Sequence, residues 1–339
     1  MSAPGLQETR ALYRLGVITP ARRRLFFAGM VVLGLALPHA VYPVFLMNVL
    51  CLALFASAFN LLLGYAGLLS FGHAAFLASA AYVTGHAVKA WGLPPELGLL
   101  AGTAVATLLG AAIGALAIRR SGISFAMITL GFAQLIYFLA VQLPFTGGED
   151  GLQGIPRRPL LGLIPLESEL AMYHFAFAVF LAGFFVIHRA VHSPFGHVLR
   201  AIRENEPRAL SLGYDVRRHK LLAFVLSAGL AGLAGSLKAL VLQFASLSDV
   251  HWHRSGEVVL MTLLGGMGTV LGPSVGALLV VALENYLADV GSWVTVITGA
   301  VFVVCVLAFR RGIVGELRAV VARSFTGVKR PSSPPASSG

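Results

Sequence analysis

Ten times between Leu25 and Phe309 the chain stays apolar for most of a helix length before a polar or glycine-rich break interrupts it. A membrane-spanning helix needs about 20 mostly apolar residues, so this recurrence points to repeated crossing of a bilayer rather than to one water-soluble core. Composition agrees: 57% of the 339 residues are hydrophobic and 12% are charged, about half the charged share of a soluble domain. Lipid offers no hydrogen bonds, so the backbone must satisfy itself, as it does in helices. The expected fold class is all-α, a polytopic helical membrane protein. Its candidate segments are 25–38, 44–63, 71–90, 97–118, 122–142, 171–188, 221–243, 256–269, 273–288 and 292–309. The run at 256–269 is short for a full crossing, which leaves two counts open: about ten membrane segments, or eight plus a re-entrant pair.

Charge sets the orientation. Residues 1–24 hold five Lys or Arg, the turn at 119–120 two, the segment 189–220 seven and the tail from Arg310 six, so 20 of the 25 fall on one side of the ten-segment layout. The positive-inside rule makes that side cytoplasmic. An even number of crossings then puts both termini in the cytoplasm. The expected layout is a basic N-terminus over 1–24, a transmembrane domain over 25–309, and a basic tail over 310–339 whose final "RPSSPPASSG" has the composition of a disordered segment. Within the domain, 189–220 is the long cytoplasmic loop and 143–170 the long outer loop. The net charge of +11 is spread in blocks between apolar runs, the pattern of membrane topology rather than of nucleic-acid binding. The first apolar run ends in "LALPHA", a weak signal-cleavage sequence, but its basic leader is long for a signal peptide, and a retained first helix is expected.

The stretch "NLLLGYAGLLSFGHAAFLASAAYV" (60–83) puts Asn60, Gly64, Gly67, Ser70, Gly72 and His73 together inside an apolar run. Glycine weakens a helix by about 1 kcal/mol relative to alanine, and irregular backbone survives at membrane depth only when protein or water satisfies it. "LLGGMGTVLGPSVGALLV" (263–280) repeats the layout with Gly265, Gly268 and Gly272, which suggests an internal repeat. Both breaks fall on the cytoplasmic side and are candidate parts of a translocation path. Close helix packing by small residues is the plainer reading, and it is the one adopted for Ala78, Gly110 and Gly114. His73 reads as a hydrogen-bonded structural histidine rather than a proton carrier.

The loop "SPFGHVLRAIRENEPRALSLGYDVRRHK" (193–220) carries helix punctuation twice. Ser193 before Pro194 reads as N-cap and first helical position, Asn205 and Glu206 before Pro207 repeat the signal, and Gly213 sits where a left-handed C-cap belongs. The spacing predicts a two-turn helix over 207–212. A docking knob for a cytoplasmic partner and a merely solvated basic loop both fit this spacing.

The run "RAIRENEPRALSLGYDVRRHKLLAFVLSAGLAGLAG" resembles the coupling-loop region of LivM-type permease subunits of branched-chain amino acid ABC importers. Three more stretches resemble the same family in the same order: "NLLLGYAGLLSFGHAAFLASAAY", "ISFAMITLGFAQLIY" followed by "TGGEDGLQGIP", and "LLGGMGTVLGPSVGA". The resemblance implies an importer subunit that pairs with a LivH-like permease and two ATP-binding subunits, fed by a periplasmic substrate-binding protein. It implies an ATPase-coupling segment at Arg203, Glu204, Asn205, Glu206, Pro207, Arg208, Ala209 and Gly213. Ala209 and Gly213 match the small residue and the glycine of the coupling motif, while Pro207 and Arg208 replace its alanines. The outer loop, in that family, faces the binding protein or the pore mouth, which makes Glu149 and Asp150 candidate contacts. The chain has no Gly-Lys dipeptide and so no P-loop; ATP, the only cofactor implied, would be bound by partner subunits.

Other polar groups support competing readings. Lys238, Glu257 and Glu284 lie within apolar runs, where ionisable residues are functional candidates, although each falls close enough to the outer boundary to snorkel. An ion-coupled secondary transporter acting alone is therefore an alternative, as is an ABC permease for urea or short amides. The pairs His188/His192 and His251/His253 have metal-compatible spacing but no acidic or cysteine partner nearby, so no metal site is assigned. Cys51 and Cys305 each sit in an apolar run and read as small core residues. No Ser-His-Asp order, CxxC or HExxH motif is present, and an enzymatic role is not expected.

Overall fold

The computed structural model describes residues 29–162, 165–287, 293–308 and 312–317. The basic N-terminal segment 1–24 and the tail beyond Leu317 lie outside the described residues. A helix lies in every predicted run: α1 Gly29–His39, α2 Pro43–Asn60, α3 His73–Lys89, α4 Pro95–Ala117, α5 Gly122–Gln142, α6 Glu169–Val191, α9 Val216–Leu242, α10 Trp252–Gly265, α11 Gly272–Tyr286 and α12 Trp293–Ala308. α10 starts and ends four residues before the predicted run 256–269 because Gly266 turns the chain out of the helix. Two further helices, α7 Pro194–Glu204 and α8 Glu206–Ser211, fill the long basic loop. Among the described residues, five helices (α2 with its extension to Ala66, α4, α5, α6 and α9) are long and apolar enough to cross a membrane. The rest are shorter, with α10 at 14 residues and α11 at 15.

Apolarity on every side of a helix means it can be buried on every side. α2 sits in the interior and α9 packs against α2, α3 and α4, whereas α5 is mostly exposed at the periphery. Small residues set the spacing. A Cβ on Gly232 would strike Ala106, one on Gly110 would strike Ala228, and one on Gly114 would lie 2.8 Å from the ring of Phe224. Hydroxyls then stitch the backbones that come so close: Thr84 Oγ1 lies 2.8 Å from Ser236 Oγ, and Ser57 Oγ lies 3.3 Å from Ser274 Oγ.

α9 has 27 residues, a rod of about 40 Å, and so separates two ends of the bundle. At its start lie α7 and α8. At its close, two-residue strands β1 (Leu152–Gln153) and β2 (Phe244–Ala245) pair antiparallel, with Leu152 opposite Ala245 and Gln153 opposite Phe244. The ladder fastens the loop 143–168 to the end of α9. It continues where Ile155 N donates to Gln243 O at 3.0 Å. Gln243 ends α9 in the left-handed region at φ 61, an unusual conformation for a residue with a Cβ.

Candidate functional site

Both predicted glycine breaks are interruptions of helix, and they meet. The first opens with a widened π-helical turn at Leu61–Ala66 that contains Gly64. Gly67, at φ 72, turns the chain left-handed, and Leu68 N donates back to Leu62 O at 3.2 Å. The freed N–H groups that follow find side chains: Phe71 N donates to Thr129 Oγ1 (3.1 Å), Gly72 N to Ser70 Oγ (3.2 Å) and Ala74 N to Ser255 Oγ (3.0 Å). Non-helical backbone is thus satisfied by α5 and α10 rather than by lipid. The second interruption runs from the end of α10 at Gly265 to the start of α11 at Gly272, with Gly266 at φ 118 and Gly268 at φ 74. Thr269 Oγ1 holds it, donating to Gly266 O (2.7 Å) and accepting from Gly272 N (3.0 Å).

One side chain joins the two. The amide of Asn60, at the end of α2, accepts from Gly268 N at 2.9 Å and donates to Thr269 O at 2.8 Å. Gly64 has to be glycine for this junction, because a Cβ there would meet Asn60 Oδ1 and, at 2.7 Å, Gly268 N. Asn60 was visible in the sequence as part of a polar cluster, but no motif marked it as the bridge.

The basic loop reaches the same junction. Arg203, in the last turn of α7, donates from Nη1 to Gly64 O. Its stem covers Gly67, where a Cβ would lie 3.0 Å from Arg203 Cγ, and its guanidinium covers Gly268, where a Cβ would lie 3.3 Å from Nη1. Arg200, one turn earlier, sits 5.3 Å over the ring of Tyr65 and donates to Val191 O at 3.0 Å. The loop segment and both interruptions therefore share one contact surface.

α8 is the predicted short helix, observed one residue earlier at Glu206–Ser211. Asn205 caps it, its Oδ1 accepting from Arg208 N at 3.0 Å, and Gly213 at φ 84 closes it. Ser193 stands at the start of α7 as expected but does not cap it: its hydroxyl turns back to donate to Ala190 O at 2.6 Å. Ala209 is buried with Ile202 and Val216 in a small cluster of their own. Glu206 pairs with Lys220 of α9 at 2.7 Å. Glu204, Pro207 and Arg208 are exposed, and so are Leu210 (57%) and Leu212 (68%), an apolar face pointing away from the bundle.

His73 is fully buried at the start of α3, its Nε2 2.8 Å from Ser227 Oγ, which donates to Ala58 O at 2.6 Å. Because the Ser227 proton goes to that carbonyl, Nε2 carries the histidine proton. Phe59, Phe76 and Phe224 enclose the ring edge-on. The histidine ties α3, α9 and α2 together beside the first interruption.

At the end of the bundle where α9 closes, Glu149 and Asp150 are exposed on a single turn of 3-10 helix. Asp150 borders an open cleft of about 650 Å³ with Gln153, Gln243 and Ser246. Lys238 does not snorkel: its Nζ lies 2.5 Å from Asp249 Oδ1, with both side chains buried. Arg254 contacts the same carboxylate at 3.4 Å and Glu257 at 2.5 Å. Glu284, on α11, is half-buried. Sequence reasoning singled out Lys238 and Glu257 but missed Asp249 and Arg254, which stand in the polar run "SLSDVHWHR" and look there like ordinary loop charge. The rings of His188 and His192 stack at 4.2 Å, and among the described residues no three His, Cys, Asp or Glu side chains gather where a metal could sit.

Comparison with known proteins fits this arrangement. The profile of the family described as branched-chain amino acid transport system / permease component matches residues 44–307. The high-affinity branched-chain amino acid transport system permease protein LivM of Escherichia coli K12 is 27% identical over 329 residues, which is 88% of this chain and 76% of LivM. A probable branched-chain amino acid transport permease protein LivM of Methanocaldococcus jannaschii is 30% identical over 51% of this chain and 52% of its own length. The ribose import permease protein RbsC of Escherichia coli K12 is 26% identical over 61% of this chain and 68% of its own. No solved structure matches. Interrupted helices, a loop helix docked on them and a profile match over residues 44–307 agree: the chain is a membrane protein that belongs to the permease-component family of branched-chain amino acid transport systems.

Proposed function

We propose that the chain is one permease subunit of an ATP-driven importer for branched-chain amino acids, forming half of the translocation path. The observation that carries this is the contact of Arg203 with Gly64, Gly67 and Gly268. It gives a push on the α7–α8 segment a direct mechanical route to both helix interruptions. An ATP-binding subunit seated on Leu210 and Leu212 would press on α8, and Glu206 and Asn205 would pass the load to α9 and α7. Gly64, Gly67, Ser70, Gly72, His73, Gly265, Gly268 and Gly272 belong, in this reading, to the moving part of the path and its immediate supports. The chain holds no nucleotide itself; hydrolysis is the work of two ATP-binding subunits. A LivH-like permease supplies the other half of the path, and a periplasmic binding protein delivers cargo to the outer face near Glu149 and Asp150. The setting is a bacterial inner membrane, with both termini in the cytoplasm.

The cargo is the finer point. The chain is similar both to permeases named for branched-chain amino acids and to permeases named for ribose, so cargo has to be measured. Reconstitution with the genomically adjacent ATP-binding subunits, second permease and binding protein, followed by uptake of leucine, urea and ribose, tests the reading. ATP-dependent leucine uptake is expected. Uptake driven by an ion gradient without nucleotide, or complexes that never contain an ATPase, would refute it.

A further inference from the structure

Four side chains at the outer ends of α9 and α10 form one ionic chain, Lys238–Asp249–Arg254–Glu257. Lys238 belongs to α9, Asp249 to the connector after it, and Arg254 and Glu257 to α10. Apolar side chains of similar volume usually stabilise a buried site at least as well as ions, so this network calls for a reason other than stability. Its link lengths suggest one. Arg254 to Asp249 is the loosest at 3.4 Å, against 2.5 Å on either side. Breaking that link divides the network into Lys238–Asp249 and Arg254–Glu257, each neutral and each still paired. α10 can part from α9 there without stranding a buried charge.

Tyr82 supplies an independent observation. Its hydroxyl, on α3, is buried and has no hydrogen-bond partner in this structure. α3 packs against the turn Leu247–Asp249, which carries the shared carboxylate. A buried unpaired hydroxyl is uncommon and calls for a cause. Here it is a spare donor on the helix that packs against the turn of a carboxylate holding two cations on one oxygen, Oδ1.

We infer that the Asp249 network is a two-position latch on the outer end of α10, and that Tyr82 is a positioning residue that donates to Asp249 once Arg254 has withdrawn. The inference rests on the proposed ATP-driven cycle, because the opposite end of α10, Gly265, leads into the junction that Arg203 touches.

The test uses the complete reconstituted complex in lipid, unsubstituted or carrying Tyr82→Phe. In addition, Gln243→Cys and His253→Cys carry spin labels at two exposed positions on either side of the latch. The hydroxyl makes no bond in this state, so Tyr82→Phe is expected to assemble with an unchanged melting temperature. Losing a hydrogen bond to a carboxylate in the other state alone lowers maximal uptake about tenfold. The label separation is expected to lengthen when ATP and vanadate trap the cycle, and to lengthen in a smaller fraction of Tyr82→Phe complexes. Unchanged uptake by Tyr82→Phe, a single label separation in every state, or loss of assembly on removing a hydroxyl that bonds to nothing would each overturn the latch. Failure of the parent reading looks different, since the unsubstituted complex would then show no ATP-driven uptake.

Discussion

Arg203 donates a hydrogen bond to the carbonyl oxygen of Gly64, 139 residues away in sequence. It makes that bond from the last turn of a loop helix to the widened turn of an interior one. A loop segment between two long helices is thereby bonded to the backbone at the point where helix geometry is already relaxed. Transport and hydrolysis should separate when the bond is lost.

Arg203→Ala is expected to leave assembly intact, because the residue is partly exposed and the bond is worth about 1 kcal/mol to stability. ATP-driven uptake should fall tenfold or more while ATPase activity persists. Arg203→Lys should restore little, since an ammonium lacks the planar fork. Parallel uptake and phosphate-release assays on the reconstituted complex check this.

Asn60→Leu should destabilise the subunit by about 2–4 kcal/mol. The substitution leaves Gly268 N–H and Thr269 C=O without their partner in a partly buried site, where each such group costs about 1–2 kcal/mol, the lower part of the range for a fully buried one. Thermal unfolding of the purified complex measures it, and a shift indistinguishable from that of an Asn48→Leu control would refute the bridging role.

Gly64→Ala and Gly268→Ala should both abolish uptake, for different reasons. At Gly64 the Cβ meets backbone of the second interruption, and at Gly268 the backbone is held at φ 74 against Arg203. Gly131→Ala is the control: its Cβ meets nothing within 4 Å in α5, so the change should be neutral or stabilising by about 0.5–1 kcal/mol. Expression level and uptake of the three variants give the comparison.

Leu210→Asp combined with Leu212→Asp should leave the subunit folded, since both side chains are exposed. Co-purification of the ATP-binding subunits should drop at least tenfold. Retention of a full complement of ATPase in the variant would mean that the docking face lies elsewhere on the loop.

The helices were legible because periodic apolar runs and their breaks are local signals. Asn205, Pro207 and Gly213 fixed α8 to within one residue, since caps act over a single turn. What the chain order hides is which distant groups share a space. Asn60 is legible as a polar residue in an apolar run, yet its bonds go to Gly268 and Thr269, 208 and 209 positions away. Asp249 and Arg254 illustrate the same limit, because a charged residue in a short connector looks solvated until the fold closes over it. Ser193 is a different case: its N-cap position is right, but a nearer carbonyl won its hydroxyl.

The four-residue ladder between β1 and β2 constrains anyone who would re-engineer the outer loop. Because Leu152 and Gln153 are backed by Phe244 and Ala245, with Gln243 accepting from Ile155, the loop is a garment buttoned to the far end of α9. A graft of 143–170 from a relative with another cargo must bring its matching 243–246 segment, or the buttonholes will not line up.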